Sequence, residues 1–139
     1  MKYFTIFLLS VFLFGCEHLK KHLGIGENAD SKIKLRKVVL NVAEMKDSMF
    51  IHETVCRGCA YENSTRFVIE DTAGVVALDH INSKDNNSDD VNGGNIDKYL
   101  VIVPRKPGST TIKLYKFWKE PPGASDSANF SQYKIEVRK

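Results

Sequence analysis

Apolar and polar residues alternate with a period of two in several segments between residue 32 and the end of the chain. Such alternation places one face of a strand against a core and the other in water, as antiparallel sheets do. The residues that alternate most clearly are Phe67 and Ile69; Tyr99, Val101 and Val103; and Tyr133, Ile135 and Val137.

The alternating segments are rich in Val, Ile, Phe and Tyr and are separated by turn residues, which predicts strands. No segment in this region keeps the 3.6-residue period of an amphipathic helix. We therefore expect an all-β, immunoglobulin-like antiparallel β-sandwich of about seven strands. The predicted strands are 35–43, 49–55, 66–70, 74–81, 96–103, 110–118 and 130–137.

The connections between these strands differ in character. Pro104-Arg105-Lys106-Pro107-Gly108 is short and predicts a hairpin, with Gly108 free to take a positive φ. Three others are long and polar, and such connections gather at the two ends of a sandwich, where recognition is usual. They span residues 56–65, 82–95 and 119–129.

The first sixteen residues follow another pattern. Lys2 is followed by an almost unbroken apolar run over 3–14, then by Gly15 and Cys16. This order of charge, short apolar segment and small residue is typical of a secretory signal, and the run is shorter than the roughly 20 residues that span a bilayer. A signal peptide followed by an unrelated cysteine is one interpretation.

The ending Leu13-Phe14-Gly15-Cys16 resembles the lipobox of bacterial lipoproteins, although Phe14 is bulkier than the usual residue. The resemblance implies that Cys16 is lipidated and begins the mature protein. Residues 1–16 would then be the signal peptide, 17–31 a flexible tether rich in Gly and polar residues, and 32–139 the β-sandwich domain. We expect a bacterial cell-envelope protein held by its lipid at the outer membrane or the periplasmic face.

Charge excludes one class of partner. The chain has 20 Lys+Arg against 17 Asp+Glu, and no long basic run. The only basic cluster, Lys20-Lys21-His22, lies in the tether, where it either contacts anionic head groups or is simply solvated. Nucleic-acid binding therefore has no electrostatic support. We also expect the protein to be a monomer.

Cys56 and Cys59 remain once Cys16 is assigned to the lipid. In an oxidising compartment an even pair predicts a disulfide. A redox-active CxxC would need a helix N-terminus, and the motif follows a strand pattern instead. Two thiolates are also too few for a structural zinc site, so we expect no metal or cofactor.

Catalysis has little support in this sequence. His52, Asp79, His80 and Ser83 supply the side chains of a triad, but no nucleophile elbow accompanies them. Residues 85–90 begin like a calcium loop, yet Asp90 stands where an EF-hand requires glycine. Cation binding by an irregular loop stays open, and we do not expect an enzyme.

Trp118, the single tryptophan, ends a predicted strand just before Pro121 and Pro122. It is either a core residue or a partly exposed anchor at the mouth of a loop. Two prolines would stiffen that loop and lower the entropy lost on binding.

Three short motifs stand out in residues 49–139. They are Cys56-Arg57-Gly58-Cys59-Ala60-Tyr61, Asn92-Gly93-Gly94 before a predicted strand, and Lys116-Phe117-Trp118. Their order resembles the chagasin family of cysteine-protease inhibitors, most closely from Gly93 onward. The family has Asn-Pro-Thr-Thr-Gly-aromatic at the first motif, of which only the aromatic and a small residue are kept here. It has a glycine-rich motif at the second and Arg-Pro-Trp at the third.

The resemblance implies an immunoglobulin-like domain that occludes the active-site cleft of papain-like cysteine proteases with three loops at one end. The implied protein-binding residues are Arg57, Gly58, Ala60, Tyr61, Gly93, Gly94, Lys116, Phe117 and Trp118. The alternative is a structural or assembly lipoprotein that docks an envelope or secretion-system component, with Trp118 in the core.

Overall fold

The computed structural model describes residues 32–85, 93–119 and 129–139. The predicted signal peptide 1–16 and tether 17–31 lie outside them. In the described residues every regular element is a strand, which confirms the all-β class, and none is a helix able to cross a membrane. The strands are β1 Lys32–Lys34, β2 Leu40–Glu44, β3 Ser48–Cys56, β4 Arg66–Glu70, β5 Val76–Asp85, β6 Asn95–Pro104, β7 Gly108–Phe117 and β8 Phe130–Arg138.

The strands form two four-stranded sheets, one in the order β1-β3-β6-β5 and the other in the order β2-β8-β7-β4. The sandwich is confirmed, but the expectation that both sheets are purely antiparallel is wrong. β1 pairs with β3 in parallel, and β2 pairs with β8 in parallel. A period of two reports which face is buried and carries no information about the direction of a neighbouring strand.

The predicted strand 35–43 is two strands in different sheets. Leu35 is buried at the end of β1, and residues 36–39 then cross to the other sheet before β2 begins. Val38 has a φ of 71° in this crossing and is 92% exposed. A β-branched residue disfavours that conformation, so the sequence offered no local indication of the break.

The predicted hairpin over 104–108 is also a crossing between sheets. β6 belongs to one sheet and β7 to the other, and the two strands do not pair. Gly108 has the expected positive φ, 146°. A Cβ added there would lie 3.4 Å from Val75 Cγ2, an ordinary van der Waals distance, so the positive φ and not crowding favours glycine at this position. The turn residues correctly indicated where the chain changes direction. Tertiary packing determined which sheet the chain enters after the turn.

The core lies between the sheets and includes the predicted face of β8, Tyr133, Ile135 and Val137. In β6 the core-facing residues are Leu100 and Ile102, so the alternating set Tyr99, Val101 and Val103 lies on the outer face. That outer face is half-buried because Tyr99 contacts the rings of Phe50 and His52. The fully buried side chains are Met49, Ile51, Val55, Leu100, Ile102, Ile112 and Ile135.

Candidate functional site

The three long connections leave the sandwich at the same end, although the second is shorter than the predicted 82–95 because β5 continues to Asp85 and β6 begins at Asn95. In the first sheet, the end of β3 is paired with the first residue of β6, and the end of β5 is paired with the second residue of β6. In the second sheet, the start of β4 is paired with the end of β7, which is also paired with the start of β8. We call this end the tip. The pairs that define it are Cys56↔Asn95, Asp85↔Ile96, Arg66↔Phe117 and Tyr115↔Phe130.

A disulfide joins Cys56 to Cys59 where the first connection leaves β3, as predicted. Within that ring, Arg57 makes two contacts to the neighbouring connection. Its backbone N–H donates to the carbonyl of Gly94 at 2.9 Å, and its guanidinium Nε lies 3.2 Å from Asp85 Oδ2. The disulfide therefore closes the first connection on itself beside β3, and the two Arg57 contacts fasten it to the end of β5 and the start of β6.

The glycines at the tip take conformations that suit glycine. Gly58, Gly93 and Gly94 have φ values of 74°, 94° and 100°. The backbone N–H of Gly58 donates to the Glu62 carboxylate, which closes the turn that follows the disulfide. Any other residue at these positions would carry a Cβ into the sparsely allowed left-handed region.

Tyr61 and Trp118 come together at the tip from different connections. Their ring centres are 6.3 Å apart and their planes meet at 64°, an edge-to-face arrangement that aromatic pairs favour. Both remain accessible, at 50% and 42% exposure. The Ser64 hydroxyl donates to the carbonyl of Trp118, which ties the two connections together. This pair is an exposed apolar surface on a braced backbone.

Lys116 lies beneath this pair. Its side chain points between the sheets, with Nζ 4.6 Å from the centre of the Trp118 ring and 3.7 Å from Glu53 Oε2. Nζ also donates to the Thr54 carbonyl. Phe117 points to the opposite face of its sheet, where it stacks on Tyr115, so it does not join this cluster.

Ala60 is the last of the predicted protein-binding residues, and two residues that were not predicted also belong to the site. Ala60 is exposed beside Tyr61, and Cys16 lies outside the described residues. Sequence reasoning missed Glu53 and Ser64. Glu53 could have been found from the sequence. It is a charged residue at a core-facing position of the alternation that begins with Met49 and Ile51.

The side chains considered for catalysis are dispersed. His52 pairs with Asp97 at 2.9 Å, whereas His80 pairs with Asp79 at 2.8 Å on the exposed part of β5. The Ser83 hydroxyl accepts a hydrogen bond from Lys98 Nζ at 2.8 Å. Within 32–85, 93–119 and 129–139, no three His, Cys, Asp or Glu side chains are grouped as metal ligands.

No protein-family model matches this chain, and no curated protein matches its sequence. Two solved structures share the fold. The cysteine protease inhibitor EhICP2 from Entamoeba histolytica superposes with a TM-score of 0.60 at 16% identity, covering 77% of this chain and 96% of that one. Amebosin superposes with a TM-score of 0.51 at 13% identity, with the same coverages. The likeness is one of fold.

Proposed function

We propose that this protein is a chagasin-like inhibitor that occludes the active-site cleft of papain-like cysteine proteases with its tip. The observation that carries the proposal is the exposed, braced pair of Tyr61 and Trp118 at the tip, the end of the sandwich where the three connections leave their strands. Its sandwich has the fold of EhICP2, which is named as a protease inhibitor and not as an enzyme. That name agrees with the expectation that this chain is not an enzyme.

The binding mechanism is steric and needs no bond to be formed. The Trp118 ring would pack beside the cleft, and the Gly93-Gly94 backbone, with no side chains in the way, would approach the substrate groove. Aromatic anchors of this kind dominate the binding energy of many interfaces. Because hydrogen bonds already hold the connections together, little conformational entropy would be lost on binding.

The first connection departs most from the chagasin pattern, and its geometry supports an equivalent role. Where that family has a proline-containing motif, this chain has a disulfide ring whose Arg57 contacts Gly94 and Asp85. Both solutions limit the backbone freedom of the loop before binding.

Inhibition of papain by the purified full-length chain in detergent tests the proposal. Trp118→Ala and Tyr61→Ala should each weaken inhibition by about tenfold or more, as expected for anchors that lose their buried rings. Leu40→Ala is the control, because Leu40 is 55% exposed on β2 and is paired with Lys134, in the middle of β8 and not at its tip end. Absence of inhibition at micromolar concentrations would rule the proposal out.

The assembly hypothesis predicted a core Trp118, and an exposure of 42% favours the inhibitor instead. We also propose, from the lipobox-like sequence, that Cys16 is lipidated and that the protein acts at the bacterial cell envelope. The tether 17–31 would then connect the lipid to the start of β1 at Lys32.

A further inference from the structure

An ion pair bridges the two sheets just below the tip. Glu53 occupies a core-facing position of β3, in register with the buried Met49 and Ile51. Lys116 occupies a core-facing position of β7, in register with the buried Ile112 and Leu114. The two charges therefore lie in the extension of the core, where apolar side chains would otherwise continue the alternation.

Both charged side chains are largely removed from water. Lys116 is 22% exposed and Glu53 is 19% exposed, and the Nζ–Oε2 distance is 3.7 Å. A charge in such a place is costly unless it is paired and hydrogen-bonded. Lys116 meets both conditions, because it also donates to the Thr54 carbonyl.

The ammonium of Lys116 also lies against two aromatic rings. It is 4.6 Å from the centre of Trp118 and 5.8 Å from the centre of Phe67. A cation within about 6 Å of a ring centre is attracted to the ring face. Lys116 thus contacts the inner side of the Trp118 indole, while Tyr61 contacts it edge-on.

We infer that Glu53 is a positioning residue for Trp118 and acts through Lys116. The carboxylate supplies the opposite charge that keeps the ammonium between the sheets and under the indole. Without it, hydration would favour an extended Lys116 whose ammonium lies in water. The indole would then lose its support and sample more orientations at the tip. The consequence for inhibition rests on the proposed function; the positioning itself does not.

The single tryptophan of the chain makes the positioning directly measurable. In the full-length protein, Glu53→Gln should shift the emission of Trp118 to longer wavelength and raise its quenching by acrylamide. If the protein inhibits papain, the same variant should weaken inhibition about fivefold, the loss of one cation–π contact. Lys116→Met should have the same effects, and Lys116→Arg, which keeps the charge, should retain the wild-type signals.

Glu70→Gln is the matched control. Glu70 holds Lys113 at the same 3.7 Å, but the Lys113 ammonium lies over Phe130 and not over Trp118. This variant should leave Trp118 emission and quenching unchanged.

A double-mutant comparison separates positioning from a general structural effect. In the Lys116→Met background, Glu53→Gln should change the Trp118 signals no further, because it acts only through Lys116. Wild-type emission in a folded Glu53→Gln protein would overturn the inference, as would an equal shift in both backgrounds. If Glu53→Gln does not fold, wild-type emission in Lys116→Met overturns it instead. A wild-type protein that fails to inhibit papain removes the proposed function only, since the fluorescence results still decide the positioning.

Discussion

The side chain of Asp71 joins the two sheets at the end opposite the tip. Its Oδ1 accepts hydrogen bonds from Thr110 Oγ1 at 2.6 Å and from the N–H of Ala73 at 3.0 Å. Its Oδ2 accepts from the N–H of Val75 and Val76 at 2.6 and 2.8 Å. Burial by itself raises the pKa of Asp71, but these four donors outweigh it and lower the pKa below its ordinary value.

Asp71→Ala should lower the free energy of unfolding by about 2 kcal/mol, since backbone N–H groups at the start of β5 lose a charged acceptor. A lowered folded pKa means that this stabilisation is present above the unfolded pKa of about 3.9 and is lost as pH falls through the folded value. Urea denaturation at neutral and acidic pH measures both effects, and the difference between variant and wild type should shrink in acid.

Asp79→Ala is the control for this prediction. Asp79 is exposed and pairs with His80, an arrangement that contributes about 0–1 kcal/mol. A change as large as that of Asp71→Ala would show that carboxylate hydrogen bonding at the start of β5 is not the cause.

The crossing from β1 to β2 is held by one buried side chain of β2. Asn41 Oδ1 accepts from the N–H of Arg36 at 2.8 Å, and its Nδ2 donates to the carbonyls of Arg36, Val39 and Lys134 at 3.0, 3.3 and 2.9 Å. Asn41 therefore satisfies the backbone of the crossing and connects it to β8. The exposed Val38 lies between these contacts.

Asn41→Ala should lower the free energy of unfolding by about 2 kcal/mol, because it leaves part-buried backbone groups without partners. Thermal and urea denaturation followed by circular dichroism give the value. Asn63→Ala removes an exposed asparagine from the turn after the disulfide and should change stability by less than about 0.5 kcal/mol. Equal effects of the two variants would contradict the role assigned to Asn41.

In the proposed function, the two ends of the sandwich have different roles. β3 runs from Ser48 to the tip at Cys56. Because β1 is parallel to β3 and Lys32 is paired with Ser48, β1 begins at the end opposite the tip. The length of β3 separates the ends by about 26 Å, at about 3.3 Å per residue. A chain anchored ahead of Lys32 would therefore hold the tip away from the membrane surface. This geometry suits a tethered protein that binds another protein.

Cys16→Ser should abolish incorporation of a fatty-acid analogue in a bacterial host and move the protein out of the membrane fraction. The proposed inhibitory surface is the tip and does not include Cys16, so removal of the lipid should leave papain inhibition by the purified protein unchanged. Cys56→Ser with Cys59→Ser is the control and should keep the label. Labelling that survives Cys16→Ser would contradict the lipobox interpretation.

Much of the fold was predictable because strand alternation is local. Tyr133, Ile135 and Val137 indicated their common buried face without any knowledge of their neighbours. The parallel pairs of β1 and β2 were not predictable, since pairing direction depends on contacts between distant segments. The crossings at Val38 and at residues 104–108 depended on the same distant contacts.

The sequence by itself determined most of the strand-forming segments, the pairing of Cys56 with Cys59, and where the three long connections leave the strands. These follow from residue types and short spacings. Only the tertiary structure decided that Trp118 is exposed, that Tyr61 contacts its ring, and that Glu53 and Lys116 meet between the sheets. The reason is that each contact joins residues more than fifty positions apart, and side chains so distant meet only when the two sheets pack together.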